Sequence, residues 1–567
     1  MRKNKQVAEI LEEIADLLEL EGVEFKPRAY RRAALTIEGL SEDINSIRKK
    51  GKLDDIPGVG ESIAEKIDEY LKTGKLKYLT KLRKKTPVDV HGLSQIEGMG
   101  PKTIKKLYKN LKIKTVADLK KAAKKGLISG IRGLGKTIEK RTLEGISFRR
   151  SHNGRLLLGN ALPIAEEVLE RLKKLTQVKQ ASLAGSILRK KDTIGDVDIL
   201  VSTNDPKPIM DYFTKMEGVQ RVLAKGLTKA SVKLKGNIQV DLRAVKPEAW
   251  GGAIQYFSGS KAHSIETRKL AIKKGYKLNE YGLFKGKKQV AKTEEQIYRK
   301  LAMQRPEPEM RENKGEIDLA LKKKLPSLVQ LKDIKGDMHV HSKWSDGTAS
   351  ILDMAKAAKK AGRKYMLQSD HTGQLKIARA LSEKQIPKYI TAIQKANRSI
   401  QDFRILKGAE VNIMEDGKLD IPDKTLKKFD VCVGSIHTGL RGSKSKMTKR
   451  ITSAMENPYI NIIGHPSGRL LNSRAGYDVD WGTVFDKSKE THTALEINCQ
   501  PTRLDLTDDV ARAAMQSGVK LVISTDSHTQ DNLLNMKYGV YVAKRAWCEK
   551  RHILNTQSPD KLIRYFR

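Results

Sequence analysis

Apolar positions change their spacing twice along this chain, and the changes divide it into three kinds of architecture. From Val7 to Leu20 they recur every three or four residues, the period of an amphipathic helix. Two more short helical stretches follow, in the basic FKPRAYRRAALTIEGL from Phe25 and in IPGVGESIAEKIDEYLKTG. From about residue 154 the pattern turns to alternating apolar strands interleaved with helices, clearest in LAGSILRKKDTIGDVDILV (Leu183–Val201) and NIQVDLRAV. The Lys/Leu-rich, weakly patterned stretch from Glu316 to Lys335, broken by Pro326, reads as a linker. Beyond it come short β runs, each followed by a helical segment.

The turns between these runs carry chemistry. Gly58-Val59-Gly60 lies between apolar helix ends, a helix-hairpin-helix signal whose backbone N–H groups can hold a DNA phosphate without reading bases. The pattern recurs at Gly98 and Gly100 in IEGMGPKTIKKLY and, less regularly, at Gly133 and Gly135 in IRGLGKTIEKR. The stretch from Lys72 to Arg150 is dense in Lys and Arg and poor in acids, as a phosphate-contacting surface is.

In Leu183–Val201 the residues Asp196 and Asp198 stand two apart in a strand and so project from one face. Two adjacent carboxylates are costly unless a cation lies between them. Mg²⁺ takes one or two carboxylates together with substrate phosphate oxygens, so Asp-x-Asp beside the Gly185-Ser186 turn predicts a nucleotidyl-transfer centre. Asp241, in the strand pattern NIQVDLRAV, supplies a third carboxylate. Two solvated aspartates on an edge strand would explain Asp-x-Asp alone; the Gly-Ser turn and Asp241 weigh against that.

Composition narrows the partners. The 567 residues exceed one core, and 110 Lys+Arg against 67 Asp+Glu give a formal net charge of +43. That charge points to a polyanion, of which nucleic acid is the commonest soluble example. No long apolar run, signal peptide or lipidation motif argues for a membrane. Cys432, Cys499 and Cys548 lack framework spacing and imply a reducing, cytoplasmic setting.

The last segment holds a second chemistry. His339 and His341 alternate in GDMHVHSKWSDG, with Asp346 in the SDG turn. His371, Glu410, His437, His465, Asp526 and His528 follow successive apolar runs, so six of the chain's 11 histidines sit at strand ends in this half, together with three carboxylates. Functional residues at the C-terminal ends of strand–helix units predict a (β/α) barrel with its site on that face. Nine ligands of this kind suit Zn²⁺ or Mn²⁺ and can hold up to three ions. Arg503 in EINCQPTRLDL is a candidate phosphate clamp, against a fold-stabilising ion pair.

These motifs together resemble known families. The first segment resembles the lyase domain of DNA polymerase beta, which places Lys26 and Tyr30 on DNA and makes Lys66 the candidate Schiff-base nucleophile, although Ser62 stands where that family has another lysine. Residues 151–318 resemble the palm and thumb of family X DNA polymerases. The resemblance implies triphosphate contacts from Gly185, Ser186, Arg189 and Gly195, and metal ligation by Asp196, Asp198 and Asp241, with Asp241 as proton acceptor. It further implies a deoxynucleotide pocket at Tyr256, Phe257, Gly259 and Ser260, a minor-groove contact from Arg268, and an ion pair between Arg243 and Glu280. Ser264 departs from the asparagine common there, which puts fidelity in doubt. The last segment resembles the polymerase-and-histidinol-phosphatase (PHP) domain, with all nine ligand positions filled.

The expected fold is therefore multidomain: a helical lyase-like unit (1–85), helix-hairpin-helix fingers (86–150), an α/β nucleotidyltransferase palm (151–245), an α+β thumb (246–318), a linker (319–332) and a distorted (β/α) barrel PHP domain (333–567). The expected function is a monomeric gap-filling DNA-repair polymerase acting on gapped or primed DNA and dNTPs with Mg²⁺ or Mn²⁺. Its barrel, with Zn²⁺ or Mn²⁺, is expected to act as a 3′-5′ exonuclease and on abasic or 3′-phosphate ends. A small-molecule phosphatase tethered to a DNA-binding front and a non-catalytic DNA-end scaffold are the competing readings.

Overall fold

The computed structural model describes residues 2–38, 43–56, 58–90, 93, 99, 101–131, 133–135, 139, 155–234, 238–375, 378–440, 442–471 and 476–567. The first part is helical. Helix Arg2–Glu21 buries Val7, Leu11, Ile14, Ala15 and Leu18, the stripe its periodicity predicts, against helix Lys26–Glu38 and the helices that follow. Burying each such side chain contributes about 1.5–3 kcal/mol, so packing rather than propensity holds these short helices. Local signals set their ends: Asp43 accepts from Asn45 N at 2.9 Å, Thr115 and Asp118 form a capping box, and Gly74 closes helix Glu61–Thr73 at φ 69°.

The palm is a five-stranded sheet in the order Gln180–Ala184, Val197–Ser202, Ile238–Val245, Lys229–Leu234, Val219–Lys225. Strand Ile238–Val245 alternates buried and half-buried residues along its whole length, so one face enters the core while Asp241 and Arg243 look outward. A thumb of helices and a small three-stranded sheet follows. The barrel comprises seven strands in parallel order, with a short eighth, His371–Thr372, paired to Arg404–Asn412. A parallel bridge between Val340 and Ser527 nearly closes it. Most of its strands are buried on both faces, as a helix-wrapped parallel sheet requires.

Palm and barrel share one hydrophobic core. At their seam a Cβ on Gly159 would stand 2.4 Å from Pro501 Cβ, so the close approach needs glycine. Asp192, three residues before Gly195, pairs with both Arg545 and Arg469 of the barrel half. The stretch expected to be a linker is packed: Leu328 and Val329 are buried, and Val329 N donates to the Cys548 carbonyl at 2.9 Å. Among the described residues no helix is long and apolar enough to cross a membrane, and the three cysteines are free and buried.

Two candidate metal centres and a nucleic-acid interface

The first centre forms where two palm strands run parallel and in register. Asp198 lies opposite Asp241 on one side and Ala184 on the other, so both carboxylates leave the sheet at one level. Asp196, just before its strand begins, joins them: one oxygen from each of the three lies within 4.8 Å of the others. Compensating groups are few. Lys229 Nζ is 3.3 Å from Asp241 Oδ2, and Gln239 Nε2 donates to Asp241 Oδ1 at 3.0 Å. Burial, then the charges of Asp196 and Asp241, push Asp198 up to about 7, and burial with Asp241 raises Asp196 as well. Three carboxylates crowded in this way, two of them raised, offer an all-oxygen donor set that fits a divalent cation. Gly185, at φ 59°, closes the turn over them; a Cβ there would stand 2.0 Å from Asp198 Oδ2.

A cavity of about 100 Å³ opens beside these acids, bounded by Asp198, Lys229, Asp241, Arg243 and Phe257. Tyr256 and Phe257 meet edge to face at 5.0 Å. Arg189 closes helix Gly185–Leu188, and its Nη1 donates to the Ser258 carbonyl at 2.6 Å, which brings the Gly185-Ser186 turn to Ser258-Gly259-Ser260. Gly195 adjoins Arg155, whose Nη1 lies 3.2 Å from where a Cβ would be. Arg268 lies 5.7 Å over the Tyr256 ring. The expected pair between Arg243 and Glu280 is not formed among the described residues. Arg243 shares the outward face of its strand with Asp241 and lies 4.7 Å over the Phe257 ring, whereas Glu280 sits in a thumb turn. Ser264 is buried and its Oγ has no protein partner.

The second centre lies within the barrel. Glu410 is its hub: Oε2 is 2.9 Å from His371 Nδ1 and 3.3 Å from His339 Nε2, and Oε1 is 3.2 Å from both His437 Nε2 and His465 Nε2. Asp346 reaches His528 Nε2 at 3.2 Å and His371 Nε2 at 3.6 Å; Asp526 Oδ1 reaches His341 Nε2 at 3.3 Å. Three overlapping donor sets result, His341/Asp346/His371/His528, His339/His341/Asp526 and His371/Glu410/His437. Glu410 and His339 project from within their strands, and His371 opens a short one, whereas the remaining ligand candidates lie beyond strand ends. Burial opposes its ionisation, yet His371, His339 and His437 hold it well below the usual carboxylate range. His339 Nε2, both nitrogens of His341 and His465 Nδ1 are buried without a hydrogen-bond partner, the state of imidazoles built to face a cation.

Glu496 was not foreseen. It accepts from His339 Nδ1 at 2.9 Å and from His465 N at 2.6 Å, which fixes the tautomer that turns Nε2 inward. A lone acid inside the apolar run ALEIN was the available signal, since a buried charge needs a partner. Asp370 similarly ties down the Asp346 turn by accepting from Ser342 N at 2.8 Å and Ser345 Oγ at 2.7 Å. Arg503 is half-buried, and its side chain makes no ion pair among the described residues.

At the amino end, Gly58 takes φ 88° and Gly60 is the N-cap of helix Glu61–Thr73, as a phosphate-holding hairpin requires. Gly133 takes φ 83°; Gly98 and Gly100 lie outside the described residues. Lys66 Nζ donates to Ser62 O and Oγ, each at 2.8 Å, and lies 5.0 Å over the Tyr78 ring, which stacks on Tyr30. Lys26 begins its helix at the exposed surface.

Known proteins share these parts. Residues 2–76 match a helix-hairpin-helix domain, 90–146 a SAM-like helix-hairpin-helix tandem, 253–312 the DNA polymerase beta thumb and 337–498 the PHP domain. Over 560 residues the chain is 35% identical to the DNA polymerase/3′-5′ exonuclease PolX of Bacillus subtilis (strain 168), covering 98% of this chain and 97% of that one. It is also 31% identical over 232 residues to a probable phosphatase of Thermoanaerobacter sp. (strain X514), covering 39% of this chain and 89% of that one.

Proposed function

This chain belongs to the family of the DNA polymerase/3′-5′ exonuclease PolX, and we propose that Asp196, Asp198 and Asp241 carry its nucleotidyl transfer while the nine barrel ligands carry its 3′-5′ hydrolysis. It is a DNA-repair polymerase with a PHP exonuclease, acting with divalent metals on DNA and deoxynucleoside triphosphates. The observation that carries the residue assignment is the in-register approach of Asp198 and Asp241 under the Gly185 turn.

Divalent ions at the two centres supply charge to activate an oxygen nucleophile and to neutralise the leaving group. The chain's own residues do the rest. Asp241 takes the proton of the primer 3′-hydroxyl as that oxygen bonds the α-phosphorus and pyrophosphate leaves. Gly185, Ser186, Arg189 and Gly195 hold the triphosphate. Tyr256, Phe257, Gly259 and Ser260 close against the sugar and leave no room for a 2′-hydroxyl, and Arg268 steadies the template. Glu496 keeps His339 aimed inward, and Arg503 clamps phosphate at the barrel.

We assign Mg²⁺ or Mn²⁺ to the all-oxygen centre and Zn²⁺ or Mn²⁺, up to three ions, to the imidazole-rich one. Gapped DNA is the preferred substrate, held by Gly58, Gly60, Gly98, Gly100 and Lys26, while Tyr30, expected on DNA, is buried against Tyr78 and supports this surface from within. Lys66 is the lyase nucleophile, tested by borohydride trapping on a 5′-deoxyribose phosphate end. The protein is a monomer of the prokaryotic cytosol, with domain limits at 85, 150, 245, 318 and 332. A second reading, in which the barrel also removes phosphate from 3′ ends, is favoured by the likeness to probable phosphatases. The deciding experiment follows a labelled primer on a one-nucleotide gap. Asp196→Ala/Asp198→Ala should stop extension and spare trimming, and His339→Ala/His341→Ala the reverse; loss of both activities in either variant would defeat the assignment.

A further inference from the structure

Arg189, where the triphosphate is placed, is held by the thumb rather than by its own palm. Its Nε donates to Glu312 Oε1 at 2.8 Å and its Nη1 to the Ser258 carbonyl at 2.6 Å. The pair is shielded, with Arg189 12% and Glu312 18% exposed, which is where a charge-assisted hydrogen bond is strong. Burial pushes the Glu312 carboxyl up, but Lys191 and Arg189 hold it below its ordinary range, so it is ionised.

Glu312 is fixed from both sides. Just before it, buried Arg311 donates to Glu294 Oε1 at 2.6 Å and to the Pro306 carbonyl at 3.0 Å, and its own carbonyl accepts from Ser260 N at 2.8 Å. Just after it, the Glu316 carboxylate accepts from Asn313 N at 3.0 Å and Lys314 N at 2.8 Å, and lies 2.6 Å from His263 Nδ1. Gly259 makes room for the arginine: a Cβ there would stand 2.7 Å from Arg189 Nη1. A guanidinium carries five N–H bonds in one plane. Two are engaged by the thumb, and the remaining three are left for phosphate oxygens.

We propose that Glu312 is a positioning residue for nucleotide addition, fixing the Arg189 guanidinium across the palm–thumb junction so that the triphosphate meets an already oriented donor. This rests on the placing of the triphosphate at Arg189. Because Glu312 takes the Nε–H and Ser258 one Nη1–H, both Nη2–H bonds stay open and the nucleotide need not displace either partner. A carboxylate that merely competed with phosphate would act in the opposite direction, and its removal would tighten nucleotide binding.

The test is steady-state single-nucleotide gap filling by the full chain, with trimming by the barrel as the measure of folding. Arg189→Ala should raise KM for dNTP. Glu312→Ala should raise it about tenfold with kcat within about twofold, the loss of one hydrogen bond to a charged group. Glu312→Gln keeps an acceptor and should return KM to within about threefold of the parent, and the double variant should match Arg189→Ala. Should Glu312→Ala also lose trimming, Glu312→Asp decides instead: it keeps the charge but not the reach, and should raise KM. An unchanged or lowered KM in folded Glu312→Ala, with KM raised in Arg189→Ala, overturns the proposal. If Arg189→Ala leaves KM unchanged, the placing of the triphosphate fails and the proposal with it.

Discussion

The two centres solve one problem, crowded carboxylates, in opposite ways. In the palm the three acids meet beside Lys229 and Gln239, with Arg155 acting on Asp196 and Arg189 on Asp198, and burial with mutual repulsion still raises both. In the barrel the three carboxylates of the centre face histidines, and Glu410, Asp346 and Asp526 are all held below their ordinary range despite burial. The palm acids would therefore gain most from a cation between them, whereas the barrel has a partly balanced charge and nitrogen donors that suit transition ions.

Removing ligands breaks this comparison most severely. Asp198→Ala should lower extension by about a thousandfold or more while trimming persists, and Glu410→Gln should do the reverse; a primer gel reads both. Next, exhaustive chelation followed by Mg²⁺ alone should restore extension but not trimming, which should return with Mn²⁺ or Zn²⁺. Failure of that split would mean that the two centres do not differ in metal preference. Glu496→Gln, which weakens the hold on His339, should cost about 10–100-fold in barrel metal affinity by titration and leave extension unchanged. Gly185→Ala forces a left-handed φ on a residue with a Cβ beside Asp198 and should slow extension about tenfold, with trimming untouched. Smallest of all, Lys66→Ala should leave gap filling within about twofold while abolishing borohydride trapping.

Much of this was legible in the chain. That Asp196, Asp198 and Asp241 would come together was legible because strand period fixes which side chains share a face, and that the barrel histidines and carboxylates would cluster because most of them stand in or just after apolar runs. Arg243 was misassigned to Glu280 because pairing between elements depends on side-chain direction, and Arg243 turns toward Phe257. The 319–332 stretch looked like a spacer because Leu328 and Val329 sit among lysines, yet they are buried. Glu496 and Glu312 were hidden for a common reason: each acts through another residue, across about 157 and 123 positions of sequence respectively, and no local spacing records such a pairing.

The seam at Asp192 has a consequence for proofreading. Palm and barrel share a core, and Asp192 is gripped by Arg545 and Arg469 on the loop that leads to the first carboxylate. A seam of this kind offers no hinge, so the palm and barrel centres would keep a constant separation, like two stations on one bench. A primer end covalently cross-linked to its template should then be extended but not trimmed. With the two centres held apart in this way, the choice between adding a nucleotide and removing one would fall to the DNA, and mismatched primer ends should be trimmed faster than paired ones.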